Sequence, residues 1–133
     1  HTDFYARFCA PGVVVAGFES DSSSPEYAVT RRHLEILRKA TDARGLALKV
    51  VTMPGPKHVR PEYENKDFAA GYINFYVCNG AVLCPEFGDA QSDRNTKAIL
   101  REQFPSRDIV QLNIDAIAAG GGGIHCTTQQ QPA

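Results

Sequence analysis

Pro11-Gly12-Val13-Val14-Val15 and Asn79-Gly80-Ala81-Val82-Leu83 are matching stretches of this chain, and so are Leu34-Glu35-Ile36-Leu37-Arg38 and Lys97-Ala98-Ile99-Leu100-Arg101. A turn pair followed by small and β-branched residues marks the second strand of a hairpin, and the later pair of stretches has helical spacing. Working outward, aromatic and β-branched residues over 3–9 and 12–18 form a hairpin about Ala10-Pro11-Gly12. Residues 21–26 supply a loop, a cap and a first-turn proline for a helix over about 26–43, with Val29, His33, Ile36, Leu37 and Ala40 on its buried face. Gly45 is read as the C-cap of that helix, and residues 46–51 as a strand stopped by Pro54-Gly55-Pro56. After a polar connection over 57–67 the order returns, with strands over 72–78 and 81–87, a loop over 89–93, a helix over 94–104 and a strand over 108–114. The expectation is an α/β fold of repeated β-β-α-β modules, about 1–56 and 68–133, that stack and share a core.

Composition excludes several function classes. Hydrophobic residues make up 43% of the 133 and charged residues 22%, an ordinary globular balance that argues against disorder. Fourteen basic side chains against 15 acidic ones leave a net charge of -1, so no global field draws the chain to nucleic acid or anionic lipid. No apolar run is long enough to span a bilayer and no secretory pattern opens the chain, so a soluble, cytoplasmic protein is expected. Cys9, Cys78, Cys84 and Cys126 contain no C-x-x-C pair and match no zinc spacing, which fits free thiols in a reducing compartment and no metal or cofactor. The chain begins with His1 rather than methionine and reads as cut or processed.

The chemistry concentrates near the other end, where Gly120-Gly121-Gly122-Gly123 leads into Ile124-His125-Cys126-Thr127-Thr128. Glycine lets a substrate approach backbone amides with no Cβ in the way, which suits a thiol that must reach a buried carbon. A flexible linker is the bland alternative, but linkers are usually Ser-mixed and open onto polar sequence.

The run from Gly120 to Pro132 is similar to the closing motif of agmatine deiminases, in which the cysteine is a covalent nucleophile. Ala69-Ala70-Gly71-Tyr72-Ile73-Asn74-Phe75-Tyr76, Pro85-Glu86-Phe87-Gly88-Asp89 and Phe104-Pro105-Ser106-Arg107 resemble other blocks of that family in the right order. His1-Thr2-Asp3 resembles the family's H-x-D element, and Gly123 stands where many members have Asn. The resemblance implies the C-terminal part of a five-bladed α/β propeller, the pentein fold, with the missing N-terminal half carrying a further carboxylate. It implies Cys126 as nucleophile, His1 as acid/base and Asp3 as a grip on the guanidinium, while the glycine chemistry itself makes Gly121, Gly122 and Gly123 the expected close backbone contacts of the substrate. The implied reaction turns agmatine into N-carbamoylputrescine and ammonia, a polyamine-forming step. A guanidinium is planar, cationic and rich in N–H donors, so carboxylates in forked geometry are its natural partners.

Other residues carry plainer expectations. His125 beside Cys126 suggests a Cys-His dyad, but neighbours in an extended segment point oppositely, so it reads as structural. Cys9, Cys78 and Cys84 read as core, His33 as an inner-face histidine, and Asp89 as a helix cap rather than a substrate contact. Peptidyl-arginine or free arginine are the alternative substrates. An inactive fragment serving as a packing or homo-oligomerisation unit is the alternative of another class.

Overall fold

A computed structural model describes residues 1–132. A 3-10 turn, Thr2–Phe4, precedes β1 (Ala6–Ala10), β2 (Val13–Phe18), α1 (Glu26–Lys39) and β3 (Lys49–Pro54). There follow β4 (Tyr76–Cys78), β5 (Ala81–Glu86), α2 (Ala90–Gln103), β6 (Asp108–Asn113), a short α3 (Asp115–Ala118) and a second 3-10 turn, His125–Thr127. The chain is thus α/β, with two three-stranded sheets ordered β1-β2-β3 and β4-β5-β6. In each sheet a hairpin pairs antiparallel and a helix then returns the chain to a parallel strand. The parallel pairings have the same form, running from Val13↔Lys49 to Phe18↔Pro54 and from Ala81↔Asp108 to Glu86↔Asn113. Gly12 and Gly80 close the two hairpins at φ +74° and +78°, a conformation in which a Cβ would be strained.

One core joins the two sheets. Val15 and Met53 of the first share a cluster with Val82 of the second and with Tyr72, Phe75 and Phe87, which flank its strands. Arg7 adds a strap by donating to the Phe75 carbonyl, with its guanidinium 4.7 Å from the centre of the Phe75 ring.

The structure departs from several of the sequence expectations. Helix α1 stops at Lys39 because Ala40 is extended, and Gly45 sits in a later turn held by the Asp42 carboxylate, which accepts from Arg44 N and Leu46 N. Its buried positions are Thr30 and Leu34, while Val29 and Ile36 are 37% and 56% exposed. The inward stripe is thus rotated one residue from the expected one. Residues 72–75 are buried but do not pair in the β4 ladder, and only Cys84 of the three core-assigned cysteines is fully buried, Cys9 and Cys78 being half-buried. Helix α2 begins four residues early, at Ala90, inside the expected loop.

Asp89 explains that early start. Its buried carboxylate accepts from Gln91 N at 3.2 Å and Ser92 N at 3.1 Å, capping α2, and also from Ser92 Oγ at 2.7 Å and Lys57 N at 2.9 Å. Burial alone would push the carboxyl up, but the Lys57 and Ser92 donors and nearby His58 outweigh it and hold it well below the usual carboxylate range. Asp89→Asn is expected to cost about 1–3 kcal/mol at pH 7, because an amide presents N–H groups where acceptors are needed. The depressed value makes this contribution fully present above the ordinary Asp pKa of about 4, and it is lost as pH falls through the folded value. The gap between parent and variant in urea denaturation therefore narrows from pH 7 to pH 3. Equal stability at pH 7 would contradict the assignment.

Candidate active site

Cys126 stands in the 3-10 turn His125–Thr127 with its side chain exposed, and the first turn of the chain brings Asp3 against it. The Cys126 thiol points at Asp3 Oδ2 at 3.6 Å across 123 positions of sequence. Asn74, wholly buried, fastens the two together. Its amide nitrogen donates to Asp3 Oδ2 at 3.0 Å and to Cys126 Sγ at 3.2 Å, while its Oδ1 accepts from the backbone N–H groups of His125 at 2.8 Å and Cys126 at 3.3 Å. One amide side chain thus uses its donors on Asp3 and Cys126 and its acceptor on the turn that carries Cys126. An unpaired amide at this depth would be costly, so satisfaction of Asn74 and formation of the turn are a single event.

Gly123 makes that packing possible. A Cβ there would lie 2.7 Å from Asn74 Cγ, so Gly123 faces inward against Asn74, and a larger residue at this position requires the amide to shift. Gly121 and Gly122, with His1, Phe4, Tyr5, Ala69 and Cys126, line an open cleft of about 280 Å³. Of the residues the sequence singled out, Cys126, His1, Gly121 and Gly122 therefore share one cleft, and Asp3 contacts the sulfur. Gly123 lies beneath it.

His125 departs from expectation. The segment is a 3-10 turn and not extended, so the ring is not thrown to the opposite side; its Nδ1 lies 2.7 Å from Asp3 Oδ2. Burial pushes the Asp3 carboxyl up, but hydrogen bonds from His125 and Cys126, the charge of His125 and the Asn74 amide outweigh it and leave it lowered. Asn74 and His125 are the site residues that the sequence reading did not select. The available signal for Asn74 was an amide set between Ile73 and Phe75 in a buried apolar run, where a polar group must have a purpose. Among the described residues no group of three His, Cys, Asp or Glu side chains is arranged to hold a metal ion, and no helix is long and apolar enough to cross a membrane.

The family profile described as Porphyromonas-type peptidyl-arginine deiminase matches residues 1–132. The chain belongs to that family. A Streptomyces coelicolor relative is 45% identical over 99% of this chain and 38% of its own length. An agmatine deiminase of Stutzerimonas stutzeri is 37% identical over the whole of this chain and 40% of its own. The solved agmatine deiminase of Enterococcus faecalis superposes with a TM-score of 0.90 at 34% identity, over 99% of this chain and 40% of that one. The chain thus spans about 40% of the length of the family members it matches. These matches fix the family and the extent of the likeness, and they do not carry the expectation of a C-terminal portion.

Proposed function

We propose that this stretch supplies the nucleophile and part of the guanidinium grip of an agmatine deiminase, a hydrolase acting on a linear amidine, built as a five-bladed propeller. The observation that carries the reading is the convergence of Asp3, Asn74 and Cys126 from three distant parts of the chain onto one thiol. The similarity to proteins named agmatine deiminase supports the substrate.

In this mechanism a carboxylate oxygen of Asp3 takes N–H groups of the planar cation and sets its carbon over Cys126 Sγ. The thiol passes its proton to His1 and the sulfur attacks, a C–S bond forms, and His1 then gives that proton to the departing nitrogen as the C–N bond breaks and ammonia leaves. Water then adds to the amidino carbon of the thioester-like adduct, with His1 taking its proton. Collapse breaks the C–S bond, returns the thiol and releases N-carbamoylputrescine. The Asn74 amide, donating to the sulfur, holds the nucleophile in line throughout. A second carboxylate and the contacts to the amine tail come from parts of the enzyme outside this stretch.

The family description favours one second reading, a peptidyl-arginine deiminase with the same chemistry and a different tail contact. Ammonia release by the complete enzyme from agmatine, free arginine and an arginine-containing peptide separates the two. The expected kcat/KM on agmatine exceeds the others at least about tenfold, a difference of roughly 1.4 kcal/mol in transition-state binding. A higher value on the peptide overturns the agmatine assignment in favour of the second reading.

A further inference from the structure

Among the described residues the side-chain hydrogen bonds to the Asp3 carboxylate all fall on one oxygen. Oδ2 is approached by His125 Nδ1 at 2.7 Å, Asn74 Nδ2 at 3.0 Å and Cys126 Sγ at 3.6 Å. Beside a carboxylate at this distance the imidazole nitrogen carries the hydrogen, since a lone pair facing the oxygen would be repelled. The His125 ring is therefore committed to Asp3, not to the neighbouring sulfur, whose side-chain partners are Asn74 and Asp3.

We propose that His125 is a positioning residue: its Nδ1–H pins Asp3 Oδ2 so that the other oxygen, Oδ1, is presented to the guanidinium group of a substrate. The inference rests on the proposed function, since it assumes that Asp3 grips a guanidinium. Its physical basis is orientational. A carboxylate on a short stem rotates about its last bond, and a charge-assisted hydrogen bond from a half-buried ring on a second chain segment stops that rotation. The donor's own backbone is fixed independently, because His125 N donates to Asn74 Oδ1 at 2.8 Å, so altering the ring leaves the turn in place.

Two variants of the complete enzyme separate this role from simple packing. In His125→Asn the amide nitrogen occupies the place of Nδ1 and keeps a donor toward Asp3, whereas His125→Leu fills similar space without one. Both are read by KM and kcat for agmatine and, independently of turnover, by the agmatine concentration that half-protects Cys126 from iodoacetamide. The Leu variant is expected to raise KM and the half-protecting concentration at least about tenfold with a smaller change in kcat, and the Asn variant to stay within about threefold of the parent. Equal losses in both variants, or a Leu variant that matches the parent, overturn the proposal. If agmatine protects the parent but releases no ammonia, the hydrolase reading fails while the protection series still decides the role of His125. A parent that agmatine does not protect overturns the proposed presentation of Asp3 directly.

Discussion

Replacing Cys126 by alanine is expected to lower ammonia release from agmatine by the complete enzyme more than about 10⁴-fold while leaving agmatine bound. The size follows from the kind of group removed. A covalent route divides a difficult substitution into two easier steps, and loss of a nucleophile in such a unit removes the whole route, not one increment of it. Agmatine remains bound because the Asp3 carboxylate is held by His125 and Asn74 as well as facing the sulfur. Among the described residues no other thiol is placed to substitute. Burial pushes the Cys9 thiol up to about 11 and the fully buried Cys84 thiol up to about 12, and the Cys78 thiol is half-buried and turned toward the Ala81 carbonyl. A haloacetamidine reagent should accordingly label Cys126 first, because it alone of the four is exposed. Turnover within about tenfold of the parent in Cys126→Ala, or first labelling at Cys78 or Cys84, would remove Cys126 from the mechanism.

The repeat was legible because local chemistry and tertiary structure agree there. Pro11-Gly12 and Asn79-Gly80 are turns whose glycines adopt positive φ, and the residues after them occupy two parallel strand pairings of the same length. Legibility failed where hydrogen bonds leave the local segment. Tyr72 to Phe75 has the aromatic and β-branched composition of a strand, yet Asn74 gives its polar groups to Asp3 and to the turn at Cys126 instead of to a ladder. The face of α1 was misplaced for a related reason. Thr30 is buried because its hydroxyl accepts from Glu19 N, a use that hydrophobic spacing does not register. At the site, the thiol could be read from its glycine-rich approach. Asp3 was singled out through the resemblance of His1-Thr2-Asp3, but its contact with the sulfur and the part played by Asn74 were not, since these residues lie 123 and 52 positions from Cys126 and only packing brings them together.

Arg60→Ala is expected to destabilise the complete enzyme by about 3–5 kcal/mol, a large loss for one surface-proximal residue. Arg60 belongs to the polar connection between the two sheets, where composition alone promises little order. Its guanidinium nonetheless donates to both oxygens of Glu86, at 2.7 and 2.6 Å, and to Asp115 Oδ2 at 2.9 Å. Glu86 ends β5 and Asp115 opens α3, so one side chain ties the connection to the segment that runs on into the glycines and Cys126. The Asp115 carboxylate is 1% exposed and its Oδ1 has no hydrogen-bond partner among the described residues, so removal of Arg60 strands a buried charge. Pairing Arg60→Met with Asp115→Leu should therefore cost clearly less than the sum of the single changes, since the double variant no longer strands the buried Asp115 charge, while the Glu86 carboxylate left behind is 25% exposed and reaches water. Denaturant unfolding of the four proteins gives the coupling. Additive losses, or a cost below about 1 kcal/mol for Arg60→Ala, would show that the ion cluster is a solvated surface feature and that Cys126 is anchored through the Asn74 network alone.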